Sequence, residues 1–333
     1  MQVSAFGAVL GLVIAIILII KKNQPAYSLI VGALIGGIAG GANLPETVSL
    51  MLNGAKGITP AVLRILTAGI LAGVLIESGA AGKIAETIIK KLGEKRALLA
   101  LALATMILTS VGVFVDVAVI TVSPIALAIA KRLNLSKMAI LLAMIGGGKS
   151  GNIISPNPNT IAAAQNFNVE LSSLMVANIV PAIFGLIVTV LIAKTLINKG
   201  EMVNESDEHE IEKELPKFFP SILGPIITIG LLALRPIAGI SVDPLIALPV
   251  GGIIGCASMG KLQHLKTYMS YGLSKMTGVA IILMGTGTIA GIISNSTLKG
   301  VVLNTLNNMG LPEFLLAPIA GTLMSAATAS TTA

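Results

Sequence analysis

The chain has 333 residues, of which 54% are apolar and only 11% charged. Its mean hydropathy of +0.93 excludes an ordinary soluble domain, where roughly a quarter of residues are charged. The formal charge of +7 reads as a membrane-orientation signal rather than a nucleic-acid footprint.

These quantities describe an all-α polytopic membrane protein, and its elements follow in chain order. Apolar runs Ser4–Ile20, Tyr27–Ala42 and Thr59–Ile76 are predicted membrane helices. The first has no cleavage site after it and reads as retained. Several runs fall short of the roughly 20 residues a straight span needs, so their ends are soft. Glycines at 32, 36, 40, 69 and 73 recur at spacings that let helices pack closely. There is no Trp and aromatic content is 3%, so an interfacial aromatic belt is thin.

Ala97–Ala130 is too long for one ordinary span and is interrupted by Thr109, Ser110, Gly112 and Asp116. A re-entrant hairpin, two half-helices meeting at a polar tip, fits better. Basic residues support it. Lys21 and Lys22, the Lys83–Arg96 cluster, Lys131 with Arg132 and Lys137, and Lys194 with Lys199 all follow predicted elements. If all face the cytoplasm, the N-terminus lies outside and the 97–130 hairpin enters and leaves on one side.

Next comes Gly146–Thr160, GGGKSGNIISPNPNT, between the apolar run Met138–Ile145 and the apolar run Leu171–Ile197. Irregular backbone at membrane depth needs protein or a wet cavity to satisfy it. A broken helix over residues 138–168 is therefore expected, and discontinuous helices are how secondary carriers build their sites. Gly148-Lys149-Ser150 superficially suggests a phosphate loop. That pattern needs glycine where Ala143 stands, and a strand before it. The other reading gives Lys149 to an anionic substrate, with Gly147 and Gly148 allowing close approach. Ser150, Asn152, Ser155, Asn157 and Asn159 then present groups suited to polyols. The bland alternative is an interfacial loop with Lys149 reaching water.

Residues 1–200 form a first repeat. Glu201–Glu214 is an acidic, solvated, cytoplasmic linker with no metal-ligand spacing, and residues 216–333 form a second repeat. In the second, Phe218–Leu234, Pro244–Ala257 and Thr277–Ser294 answer the first three runs. Ile70–Ser78 aligns with Thr288–Ser296, and each is followed by an amphipathic stretch ending near a glycine, Gly93 or Gly310. The stretch after Ile76 is basic, whereas that after Ser294 holds only Lys299, which is the charge pattern of an inverted repeat. Nothing answers Val117–Ile197, so the second repeat is expected to be incomplete by roughly 80–100 residues.

Asp116 at the hairpin break is a candidate proton carrier, since an intramembrane carboxylate is a functional candidate by default. The alternative is a carboxylate that pairs locally and holds the hairpin. Glu77, next to the Lys83 cluster, is a second carboxylate candidate or an interfacial charge. In the second repeat SAATASTT, Ser325–Thr332, is the matching tip, with Thr328, Ser330, Thr331 and Thr332 as candidate ligands. Cys256, His209 and His264 are isolated. Neither a cofactor nor a metal site is expected.

Three stretches carry a family resemblance: VGVFVDVAVITVSP at Val111–Pro124, the Gly146–Ala164 break leading into IAAA, and the final SAATAS. The chain resembles the gluconate permease family, proton symporters for gluconate and related sugar acids in the wider ion-transporter superfamily. The resemblance implies a bacterial plasma-membrane carrier with two inverted repeats and re-entrant hairpins. By position, it implies a site lined by Thr109–Asp116, Lys149–Asn159 and Thr328–Thr332. Many of these permeases have a His-Ser pair followed by Pro-Pro-Thr-Pro-Gly-Pro. Here the chain reads Lys149-Ser150, then Ser155-Pro156-Asn157-Pro158-Asn159, which admits a shorter hydroxy acid such as glycerate. The expected partners are a sugar acid, protons, the lipid bilayer and a second copy of the chain in a homodimer. Two rivals remain. One is a cation/proton antiporter of the same superfamily, disfavoured by a lysine in the site. The other is a membrane-embedded enzyme, disfavoured by the lack of a clustered acid–base pair.

Overall fold

The computed structural model describes residues 2–203, 215–308 and 312. The described residues are nearly all helical, and the only β features among them are two isolated bridges, Val3–Ser296 and Ser136–Met202. The chain divides into two compact units, residues 1–63 with 277–333, and residues 64–276. The boundary falls inside two long helices.

In the first unit, α1 (Ala5–Ile20) and α2 (Pro25–Ala39) lie against each other through glycine. A Cβ on Gly7 would sit 2.2 Å from Gly40 Cα, and one on Gly11 would sit 2.5 Å from Gly32 O. Small residues at such crossings let backbones approach where lipid offers no hydrophobic drive. The helix α3 (Leu44–Glu77) is 34 residues long and starts 15 residues before its predicted beginning. Its start is fixed by a reciprocal cap: Glu46 N–H donates to Asn43 Oδ1 (2.9 Å) and Asn43 N–H donates to Glu46 Oε2 (3.1 Å). Gly54 in α3 meets Gly287 and Gly291 of α13 (Leu265–Ser294) at backbone distance. Val3, Leu29, Ala33, Met51, Ile289 and Ile292 form this unit's core. The helix α14 (Leu298–Asn308) follows.

The second unit holds the hairpin and the broken helices. The short α4 (Ala80–Leu92) buries Ala81, Ile84, Ala85 and Ile89 and carries Lys83, Glu86 and Lys90 as one ion-paired group. Lys83 first, then Lys90, hold the Glu86 carboxyl below the ordinary range by hydrogen bonding to it. Next, α5 (Ala97–Ser110) and α6 (Val115–Leu133) are two helices within the predicted hairpin stretch, with Gly112 at φ +99° in the turn between them. The helix α7 (Lys137–Asn152) leads through a break to α8 (Pro158–Phe167), α9 (Leu171–Ala177) and α10 (Ile179–Thr195). The predicted continuous helix Leu171–Ile197 is thus bent, by 43° between α9 and α10. Pro181 explains it: it has no N–H for the carbonyl of Ala177 and its ring crowds that turn. Last come α11 (Phe218–Ala238) and α12 (Pro244–Ser258), which pack through Gly224, Gly251 and Gly255. Within the same unit Gly69 and Gly73 of α3 meet Gly272 and the Tyr268 carbonyl of α13.

Among the described residues, α3 and the stretch Leu262–Ser294 are long and apolar enough to cross a membrane, and the bent α9–α10 pair qualifies if it is one span. Shorter apolar helices include α1, α2, α5 and α12.

Candidate functional site

The second unit brings two chain breaks together. The first is the hairpin tip at Val111–Phe114 and the second is the stretch Ile153–Asn157 between α7 and α8. They meet because α7 lies on α5 through glycine. A Cβ at Gly147 would be 2.1 Å from Ala102 O, and one at Gly151 would be 2.0 Å from Met106 O. At Gly148 a Cβ would be 2.9 Å from Val115 Cγ1, at the first residue of α6. The break therefore begins at Ile153, not at Gly146 as the sequence suggested. Glycine inside a helix costs only about 1 kcal/mol relative to alanine, and here the glycines make close packing possible.

Thr109 joins the two elements. It is fully buried, and its hydroxyl lies 2.8 Å from the Gly148 carbonyl, with its own helix's Thr105 and Met106 carbonyls at 3.0 and 3.1 Å. Ser150 is buried, donates to Gly146 O (2.9 Å) and packs on Gly185 of α10. Ser110 donates to Ile107 O at 2.8 Å and is half-buried. It also borders a cavity of about 240 Å³ with Ile154, Ser172 and Ile179.

The second break is held by its own polar side chains. Asn157 caps α8: its Oδ1 accepts from Asn159 N–H (2.7 Å) and Thr160 N–H (3.3 Å). Its Nδ2 donates to Ser155 Oγ (2.6 Å) and to the Asn152 carbonyl. Thr160 Oγ1 also donates to that carbonyl, at 3.2 Å. Ser155 and Asn157 are both buried. The carbonyl of Ile153 accepts from Asn178 Nδ2 (3.1 Å), so the α9–α10 bend is tied to the break.

The sequence-predicted residues thus fall into two groups. Thr109, Ser150, Ser155 and Asn157 use their polar groups to shape the breaks. Lys149, in the last turn of α7, and Asp116, in the first turn of α6, are exposed. They follow, by one residue each, the contacting pair Gly148 and Val115. Asp116 also suits the positive end of α6. Asn152, the last residue of α7, and Asn159, in the first turn of α8, are half-buried. Glu77 ends α3, half-buried, on a different element from both breaks. Thr328, Ser330, Thr331 and Thr332 lie outside the described residues, as does most of the acidic linker; Glu201 at its start pairs with Lys137 at 3.4 Å.

A second polar cluster lies in the same unit and was missed. Arg64, within α3, grips Asp243 through Nη2–Oδ2 at 2.7 Å and Nε–Oδ1 at 3.1 Å. Its Nη1 donates to Gln165 Oε1 of α8 at 2.9 Å. Asp243 also caps α12, accepting from Leu245 N–H at 2.8 Å. Above all Arg64, through its hydrogen bonds, holds the Asp243 carboxyl below its ordinary value of 3.8. The signal in the sequence was Arg64 itself, the single charge inside the apolar run Thr59–Ile76; such charges are paired within the protein.

Apolar helices broken at paired polar tips are the build of a membrane permease. Residues 3–333 match the GntP family permeases, and the chain belongs to that family. It is 64% identical over 332 residues to an uncharacterized transporter of Haemophilus influenzae, covering 99% of this chain and 79% of that protein. It is 32% identical over 197 residues to the inner membrane permease YgbN of Escherichia coli, covering 58% of this chain and 43% of that one. To a gluconate permease of Pseudomonas aeruginosa it is 23% identical over 248 residues, 71% of this chain and 54% of the relative.

Proposed function

We propose that the chain is a secondary carrier of the bacterial inner membrane that takes up gluconate, or a related sugar acid or hydroxy acid such as glycerate, together with protons. The observation that carries this reading is the juxtaposition of the two breaks, locked by Thr109 to Gly148, with Lys149 and Asp116 exposed one residue beyond the contact. A carboxylate substrate would meet the exposed Lys149 ammonium with opposite charge, the favourable pairing for a cation at membrane depth. The amides of Asn152 and Asn159 and the hydroxyl of Ser110 supply hydrogen bonds to a polyol chain, and Asp116 carries the coupling proton. The gluconate permease among the relatives agrees in substrate class.

Alternating access follows from two inverted repeats. Helix lengths support the repetition, though not its inversion: α1 to α4 have 16, 15, 34 and 13 residues, and α11 to α14 have 21, 15, 30 and 11. In this reading Thr328, Ser330, Thr331 and Thr332 supply further substrate ligands, the acidic linker is cytoplasmic and two copies dimerise. Uptake of labelled gluconate and glycerate into vesicles, with and without an imposed proton gradient, tests the proposal. Accumulation that collapses with the gradient is expected; uptake indifferent to the gradient would remove proton coupling, and no uptake of either acid would remove the substrate class.

A further inference from the structure

The Arg64 cluster ties three helices of the second unit that are far apart in sequence, α3, α8 and the start of α12. The tie has an unusual place on α8. That helix begins at the break, where Asn157 caps it, and Gln165 sits in its last turn. Ten residues of α-helix make a stiff rod of about 15 Å. The break therefore cannot shift along or across α3 without moving Gln165 against Arg64. Beside the tie lies a polar cavity of about 410 Å³, bordered by Arg64, Gln165, Glu170, Ser172, Ser241 and Asp243. The tie thus borders open space, with room for α8 to change place. The cavity suits a mobile joint better than an anion site, because a carboxylate ligand would have to displace Asp243 from Arg64 and face Glu170.

We propose that Arg64 is a positioning residue: its paired grip on Asp243 and Gln165 latches α8, and with it the substrate break, in one pose, and the latch opens in every transport cycle. This rests on the carrier reading above. Arg64 is suited to the task because its planar fork serves the carboxylate bidentately and keeps a further N–H for Gln165, which lysine cannot do. The pair is partly exposed, at 29% and 41% for the two side chains, so water can replace the lost bonds at low cost when it opens.

Two variants separate a latch from a static strut. The first is Ser172→Cys with Ser241→Cys, conservative changes at two residues bordering the cavity, bridged by cleavable thiol cross-linkers of graded length in vesicles holding the full chain. Cross-linked protein should bind labelled gluconate as the parent does, lose uptake, and recover it when the linker is cleaved. The second is Arg64→Gln with Asp243→Asn, which removes both charges of the pair together and retains an α12 cap, since asparagine caps as well as aspartate. It should bind gluconate within about twofold of the parent and exchange it across the membrane up to about fivefold faster, the most a partly exposed ion pair can contribute. Parent-like uptake with the cross-link in place overturns the latch while leaving the carrier reading intact. So does an Arg64→Gln/Asp243→Asn variant with parent-like exchange, or one that loses binding and uptake together. A parent that takes up no labelled gluconate overturns both.

Discussion

Thr109 decides how the two breaks sit together. Its hydroxyl is buried and 2.8 Å from the Gly148 carbonyl, so Thr109→Val leaves that carbonyl with one partner fewer at nearly constant shape. A loss of about 1 kcal/mol in stability is expected, read as a lower midpoint of thermal unfolding in detergent. Gly151→Ala should cost more, about 1–3 kcal/mol, because the new methyl would stand 2.0 Å from the backbone oxygen of Met106 rather than near a yielding side chain. The two exposed charges are expected to divide their labour. Lys149→Met should weaken gluconate binding at every pH, because a charge partner is gone. Asp116→Asn should leave binding largely intact and abolish its dependence on the proton gradient. Parent-like binding in Lys149→Met would reduce the lysine to an interfacial anchor. Persistent gradient-driven accumulation in Asp116→Asn would move coupling to another carboxylate, with Glu77 next.

At the scale of elements, the turn at Gly112 between α5 and α6 was legible because Thr109, Ser110, Gly112 and Asp116 interrupt an apolar run too long for one span. The second break was seen but placed seven residues early. Glycine reads locally as a helix breaker, whereas Gly147 and Gly151 are the positions where α7 touches α5. That contact is tertiary, and no local pattern contains it. The early start of α3 was hidden by its polar composition, although Asn43 and Glu46 at capping-box spacing marked it. Likewise Pro181 marked the α9–α10 bend. The Arg64–Asp243 pair spans 179 positions, a distance at which sequence alone offers only the lone arginine. The Asp243 carboxyl, gripped by Arg64 and capping α12, carries a pH signature. Its folded value lies below the ordinary 3.8, so its contribution is complete above that value and is lost as pH falls through the lower folded one. Stability should hold from neutral pH down to about 3.8 and fall below it by a small amount, at most about 1 kcal/mol for a pair this exposed, and Asp243→Asn should flatten that acid limb of the thermal-midpoint profile.

For the whole molecule, an inverted repeat would fix which face of the membrane each matching segment meets. The basic Lys83–Arg96 stretch should be cytoplasmic and Leu298–Asn308 external, since matching segments of an inverted repeat face opposite sides. Single cysteines in each, labelled by impermeant reagents from either face of the membrane, should react from opposite sides. Labelling of both from one side would leave the likeness of α1–α4 to α11–α14 without its inversion. The central claim is that the hairpin tip and the α7–α8 break form one surface for a sugar acid. Single cysteines at Ser110 and Asn152, one on each break, test it most directly through their alkylation rates in membranes with and without gluconate. Both should be slowed by gluconate and neither by uncharged glucose; alkylation of both at the same rate with and without gluconate would contradict the site.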